Sequence, residues 1–236
     1  MSAASTASEG GASAAFPAEP DRDCPRCPRL VAFREAARAA EPTWHNAPVA
    51  SFLPSGGEER VRLLVVGLAP GLRGANRTGR PFTGDYAGDL LYETLVEFGF
   101  AAGRFEARPD DGLSLVDAAV TNAVRCVPPE NKPVGAEIAA CRPFLAATVG
   151  RFAKLQAIVA LGRIAHDSAL RALAPHLDRP PTRFAFAHGT MHAAAGPAGP
   201  LLFADSYHCS RYNTNTGRLT PEMFRTVFAA VRERIG

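Results

Sequence analysis

Cys24-Pro-Arg-Cys27 is a pair of thiols two residues apart, and Cys126 and Cys141 are separated by fourteen residues further along the chain. Two intervening residues let both thiolates of a C-x2-C pair reach one metal or cluster from a tight turn. Together the four complete the ligand set of a tetrahedral zinc or an iron–sulfur cluster, and spacing alone does not choose between them. Pro25 and Pro28 restrict the turn and remove backbone donors. The competing reading is four unrelated buried thiols. Cys209, beside His208, stands apart from the set, and its simplest use is as a small packed residue. A zinc-dependent hydrolase would need an open metal position with His or carboxylate ligands, whereas this set looks closed.

Two glycine-rich stretches invite a nucleotide reading and fail it. Gly67-Leu-Ala-Pro-Gly71 lacks the G-x-G-x-x-G spacing, and Pro70 removes an amide donor. Gly74-Ala-Asn-Arg-Thr-Gly79 has the outer glycines of a P-loop, but Arg80-Pro81 follows where Lys and Ser/Thr are required. ATP and dinucleotide binding are therefore not expected. The glycines still mark a place where backbone approaches a ligand closely.

These residues need elements to hold them. Four apolar runs, 61–66, 116–122, 157–161 and 201–206, do not alternate strictly with polar residues, which predicts strands covered on both faces of a parallel sheet. Helical spacing marks 89–97, 137–154 and 165–173. A last helix begins at Pro221 after a Thr220 cap and runs to about Arg234. The alternation predicts an α/β fold, a three-layer α/β/α sandwich with a central four-stranded parallel sheet. Such sheets bind ligands beyond the carboxyl ends of their strands. Gly67–Gly71, Asn122–Cys126 and Tyr207–Arg211 follow three of the four runs, so one sheet edge would gather them.

Of 236 residues 47% are hydrophobic, enough for one domain with a sizeable core. No apolar run is long enough to span a membrane, and the N-terminus lacks the basic-then-apolar order of a secretion signal. Membrane and secreted classes are excluded, and a cytoplasmic location is expected. Five cysteines without a secretion signal argue against a disulfide scaffold. Residues 1–20 are a low-complexity run of Ala, Ser, Gly and Thr, expected to be a disordered tail ahead of a single domain over 21–236. The net charge of +3 permits an anionic partner without demanding one. All but two of the 26 basic residues are Arg, from codon bias or because the Arg fork suits phosphate.

Three blocks carry a resemblance. Gly67–Gly71 continues into Gly74-Ala-Asn-Arg-Thr-Gly-Arg-Pro-Phe-Thr-Gly-Asp85. Thr121-Asn-Ala-Val-Arg-Cys-Val-Pro-Pro-Glu-Asn-Lys-Pro133 is the second block, and Ser206-Tyr-His-Cys-Ser-Arg-Tyr-Asn-Thr-Asn-Thr-Gly-Arg-Leu-Thr220 the third. In order, and with the cysteine spacing, they resemble the iron–sulfur uracil-DNA glycosylases of the type b group, the fifth family of that superfamily. The likeness runs from about Asp21 to the C-terminus. It implies a [4Fe–4S] cluster on Cys24, Cys27, Cys126 and Cys141, structural in role. It implies catalytic roles for Asp85, Asn131 and His208. The sister type a group carries Glu where Leu68 stands here, which favours type b. The third motif departs from its relatives at Cys209 and Tyr212.

The implied reaction is hydrolysis of the N-glycosidic bond of a flipped-out nucleotide, leaving an abasic site. Type b resemblance extends the expected range to deaminated purines such as hypoxanthine and xanthine. His208 would donate a hydrogen bond to the departing base as negative charge grows there. Asp85 with Asn131 would orient the attacking water. Phe82 suits stacking on the base, Asn122 suits reading its edge, and Gly67, Leu68 and Ala69 would line the pocket. Asp85 has a competing use as a helix cap. Phosphate contacts are expected from Arg77, Arg80, Lys132, Arg211 and Arg218, with Ser210 and Asn213. Lys132 and Lys154 are the only lysines, so Schiff-base lyase chemistry is not expected. The partner is double- or single-stranded DNA bearing uracil or another deaminated base, and the protein is expected to be a monomer. The alternative is a non-catalytic iron–sulfur protein that binds nucleic acid.

Overall fold

The computed structural model describes residues 16–236. In chain order the elements are α1 (Pro28–Ala40), β1 (Leu63–Gly67), α2 (Ala75–Thr78), α3 (Tyr86–Glu97), β2 (Ala101–Ala102), β3 (Ser114–Leu115) and β4 (Ala118–Asn122). There follow α4 (Gly135–Arg151), β5 (Ala157–Leu161), α5 (Arg163–Leu173), β6 (Met191–Gly196), β7 (Gly199–Ser206), α6 (Arg211–Asn215) and α7 (Pro221–Ile235). The main sheet has the order β4-β1-β5-β7-β6, and β2 pairs with β3 in a separate hairpin.

The expected sandwich is present, with one correction. The sheet has five strands rather than four, because β6 pairs antiparallel to β7 at its edge. Its sequence, Met-His-Ala-Ala-Ala-Gly, has neither a β-branched residue nor a clear alternation, so only the ladder with β7 makes it a strand. The four parallel strands match the four apolar runs to within two residues at each end. Asp117 takes a left-handed φ of 53° and ends the run that precedes β4. Its carbonyl then accepts from the amides of Arg62 and Leu63.

Every residue of β1, β4 and β5 is buried, as strands covered on both faces require. Alternation divides their side chains between two layers. Leu63, Val65, Val120, Val159 and Ala204 meet Leu91 and Leu95 of α3 and Phe224 and Phe228 of α7. Leu64, Val66, Ile158 and Phe203 meet Leu145 and Val149 of α4 and Ala169 and Leu173 of α5. Each Val, Leu, Ile or Phe among them contributes about 1.5–3 kcal/mol by leaving water. The Thr220 side chain accepts from the Met223 amide and caps α7, with Pro221 in the first turn. Helix α1 has no counterpart in the sequence reading. Pro28 opens it, at the position where its missing N–H is no loss.

The boundary of the expected tail moves. Residues 1–15 lie outside the described residues, but 16–20 pack against α4. Phe16 meets Phe144 edge-on at 4.9 Å, and the Ala18 carbonyl accepts from Thr148 Oγ1 at 3.0 Å. Glu19 pairs with Arg125 at 3.1 Å and Arg151 at 3.2 Å. Composition could not register these contacts, because their partners lie more than a hundred residues away. Among the described residues no helix is long and apolar enough to cross a membrane.

Candidate active site

Strands β4, β1 and β7 end on one edge of the sheet, with β5 between β1 and β7, and the segments that follow the three form one cleft. Its inner lobe is lined by Ala69, Pro70, Gly71, Phe82, Asp85, Asn122 and His208 among others. An outer lobe adds Leu68, Tyr86, Asn131, Ser210 and Arg211. Gly67, the last residue of β1, stands where a Cβ would overlap the Phe82 ring and Asn122 Oδ1. Its missing side chain lets those two groups meet over the strand end. Asn122 is buried, and its Oδ1 has no hydrogen-bond partner among the described residues.

Phe82 has φ 52°, a conformation that costs a non-glycine residue about 1–2 kcal/mol. The loop around it holds that shape. Tyr92 Oη donates to the Pro81 carbonyl at 2.6 Å, and Thr78 Oγ1 donates to the Thr83 carbonyl at 2.9 Å. A Cβ at Gly88 would overlap the Phe82 carbonyl, so α3 and the loop fit only with glycine there. The Phe82 ring lies near-parallel to that of His208, 5.8 Å between centroids. Burial pushes the His208 imidazole down to about 4, so it is neutral at ordinary pH.

Asp85 occupies the N-cap position of α3, yet its side chain makes no capping hydrogen bond. Oδ1 is buried without a partner among the described residues. Burial raises its carboxyl above the ordinary Asp range, opposed by the nearby Gly88 and Ala87 amides. Gly71 and Gly74 lie against Oδ2, and a Cβ at Gly74 would overlap the carboxylate. A carboxylate with one buried oxygen left unpaired at the mouth of a helix is a well-placed site group. Asn131 follows Glu130 in a turn with φ 57° and lies exposed on the rim of the outer lobe.

The four cysteines also come together. Cys24, Cys27, Cys126 and Cys141 line one cavity of about 320 Å³ with Leu30, Val124 and Phe144. All are free thiols. Burial, reinforced by the neighbouring thiols, pushes Cys27 up to about 11 and Cys126 up to about 12, and raises Cys141. Such a set forms thiolates at neutral pH only around a bound cationic centre. Donors face it: the Arg125 amide lies 3.3 Å from Cys141 Sγ, and Arg34 Nη1 3.9 Å from Cys126 Sγ. Among the described residues no three His, Cys, Asp or Glu side chains are placed to share one metal ion.

A family model described as the uracil DNA glycosylase superfamily matches residues 54–232. The chain belongs to that superfamily. It is 42% identical over 214 residues to a type-5 uracil-DNA glycosylase of Thermus thermophilus, covering 90% of this chain and 94% of the relative. To a type-5 uracil-DNA glycosylase of Mycobacterium bovis it is 41% identical over 221 residues, covering 90% of this chain and 78% of that one. A type-4 uracil-DNA glycosylase of Pyrobaculum aerophilum matches at 33% over 61% of this chain and 57% of its own length. The fifth-family resemblance drawn from the three motifs is thus borne out.

The expected phosphate contacts divide. Arg80 is buried: it forms a two-pronged ion pair with Asp111 at 2.9 and 2.7 Å, and its Nε donates to Thr83. Its guanidinium also lies 5.2–5.6 Å from the rings of Phe52, Tyr92 and Phe105. It cannot reach a phosphate without leaving these partners, and the expectation of a DNA contact is corrected to a structural role. Ser210 caps α6 by accepting from the Asn213 amide, and Asn213 Nδ2 donates to the His208 carbonyl at 2.8 Å. Lys132 and Arg211 are exposed; Lys132 pairs with Glu130, and Arg211 lies over the Tyr86 ring. Arg77 is exposed and donates from Nε to the Arg73 carbonyl. Arg218 lies exposed over the Tyr207 ring.

Sequence reasoning missed the clearance that Gly71 and Gly74 give Asp85, although their place in the first motif was the signal. It also missed Arg125, fully buried beside Cys126. A lone arginine inside a motif carries no mark of burial. Cys209 is buried and donates to the Ala87 carbonyl, a packed thiol as expected.

Proposed function

We infer that the protein is a DNA-repair glycosylase that excises uracil from DNA by hydrolysing the N-glycosidic bond. The observation that carries this reading is the meeting, in one lobe, of a carboxylate with a buried unpaired oxygen (Asp85), a buried unpaired amide oxygen (Asn122), a strained aromatic (Phe82) and a neutral imidazole (His208).

The chemistry assigns each a task. The target nucleotide is flipped into the lobe. Phe82 stacks on the base, and Asn122 Oδ1 accepts from a base N–H, filling its vacant acceptor. As the bond breaks, negative charge grows on the base and positive charge on the sugar. His208 donates to the base carbonyl; a neutral donor serves, because the charge it meets exists only as the bond breaks. Asp85 orients water at the sugar face and favours its positive charge, aided by Asn131 from the rim. Gly67, Leu68 and Ala69 form the backbone wall. Arg77, Lys132 and Arg211 reach phosphates of single- or double-stranded DNA.

Cys24, Cys27, Cys126 and Cys141 hold a [4Fe–4S] cluster, whose role is to tie α1, α4 and the segment after β4 together. The gathering of four thiols in one cavity, with N–H donors facing them, supports this reading. Hypoxanthine and xanthine are further substrates, consistent with the uncharged Leu68 at the rim. The enzyme acts as a monomer in the cytoplasm, where its DNA lies.

The test is incubation of the brown, cluster-loaded protein with a uracil-containing oligonucleotide, followed by alkali. Strand cleavage at the uracil position is expected. Intact oligonucleotide after incubation with folded, cluster-loaded protein overturns the reading.

A further inference from the structure

His208 does its work from a short segment between β7 and α6, and a neutral donor is useful only when its N–H is aimed. The backbone of that segment is pinned on both sides. Asn213 holds the His208 carbonyl at 2.8 Å. On the other side the Tyr207 amide donates to Nδ1 of His188 at 3.1 Å. His188 sits in the loop that precedes β6, and its ring stacks on that of Tyr207 at 5.1 Å and 20°. The same loop is locked to β7: the Gly189 amide donates to the Asp205 carbonyl and the Asp205 amide to the Thr190 carbonyl. Beneath it, His166 bridges Asp205 Oδ1 at 2.7 Å and the Phe184 carbonyl at 2.9 Å.

Resting on the glycosylase reading, we propose that His188 is a positioning residue for His208. Its Nδ1 lone pair anchors the Tyr207 amide and so fixes the backbone from which the His208 imidazole is presented. The geometry sets the tautomer. Nδ1 accepts from a backbone N–H, so the proton of His188 lies on Nε2. A protonated His188 would present an N–H to an N–H and release the anchor. Burial holds its imidazole below the ordinary His range, which keeps the acceptor available. His188 touches none of the lobe-lining groups itself; it acts through residues 207 and 208.

The test uses shape-matched variants. Leu resembles Asn in outline but has no acceptor, whereas Asn places Oδ1 near the position of Nδ1. Phe keeps a ring to stack on Tyr207, also without an acceptor. Single-turnover uracil release and substrate affinity are measured for wild type, H188L, H188F and H188N, each also in the H208A background. H188L and H188F are expected to lose about 10- to 100-fold in rate with affinity little changed, while H188N stays within a few-fold of wild type. In H208A the His188 substitutions are expected to add nothing, because the group they aim is gone. H188F stands in if H188L does not fold. An acceptor-free variant that folds and runs at the wild-type rate overturns the proposal. So does equal impairment of H188N, or losses that multiply with H208A. Wild-type protein that releases no uracil would instead overturn the glycosylase reading, and the two failures are distinct.

Discussion

Gly74 and the carboxylate of Asp85 lie so close that a Cβ on the glycine would overlap Asp85 Oδ2. Gly74 has φ −94° and ψ −115°, so a Gly74→Ala change is opposed both by this contact and by a backbone shape that a Cβ disfavours. The variant should fold with its cluster and still bind DNA, yet lose at least about 10-fold in single-turnover uracil release, because the carboxylate must move. Wild-type rates in folded Gly74→Ala would remove Asp85 from its assigned place.

Arg80 and Arg77 share a motif and should separate by experiment. Arg80→Ala strands Asp111, whose side chain is fully buried. Breaking a buried pair of this kind costs about 3–5 kcal/mol, readable as a lower midpoint in chemical denaturation. Arg77→Ala should leave stability nearly unchanged and reduce the salt dependence of DNA binding by about one counterion. A salt slope that falls with Arg80→Ala while stability holds would restore Arg80 to the interface.

The acid limb of activity should belong to Asp85. Its pKa lies above the ordinary 3.8, so the working carboxylate is lost early as pH falls. His208 stays neutral down to about 4, so no inflection is expected near 6.5. The sign for stability follows separately. Between 6.5 and about 4 the unfolded chain takes up a proton at His208 that the folded one refuses. The His208 contribution to stability is therefore complete above 6.5 and is lost as pH falls toward 4. Single-turnover rates and thermal melts from pH 4 to 8, with Asp85→Asn and His208→Ala as references, separate the two. An activity inflection near 6.5 that vanishes in His208→Ala would contradict the neutral imidazole.

Glu19 is the carboxylate that meets the buried Arg125 guanidinium, and Phe16 sits on Phe144 at the rim of the cluster cavity. Glu19→Gln leaves a buried cation without its counter-charge. It should lower the melting temperature and speed bleaching of the cluster absorbance in air. Cys126→Ala should go further and remove the absorbance together with most soluble protein. Unchanged bleaching in both Glu19→Gln and Phe16→Ala would deny residues 16–20 any part in shielding the cluster.

Much of this molecule was legible in its residues. Apolar runs without alternation marked the parallel strands, and Thr220-Pro221 marked the start of α7, because local propensity and burial agree there. The C-x2-C pair and the three blocks named the residues that meet, since each block follows a strand whose end it must share. Other features needed the folded chain. The Ala-rich β6 is a strand only because β7 offers it a ladder. Arg80 and Arg77 look alike in the motif, and burial against Asp111 alone separates them. Asp85 kept a competing use as a cap until its Oδ1 proved unpaired. The types and order of the reactive groups are local properties, written residue by residue. Which of them are dehydrated, aimed or already satisfied depends on partners distant in the chain, and only the tertiary structure decides that.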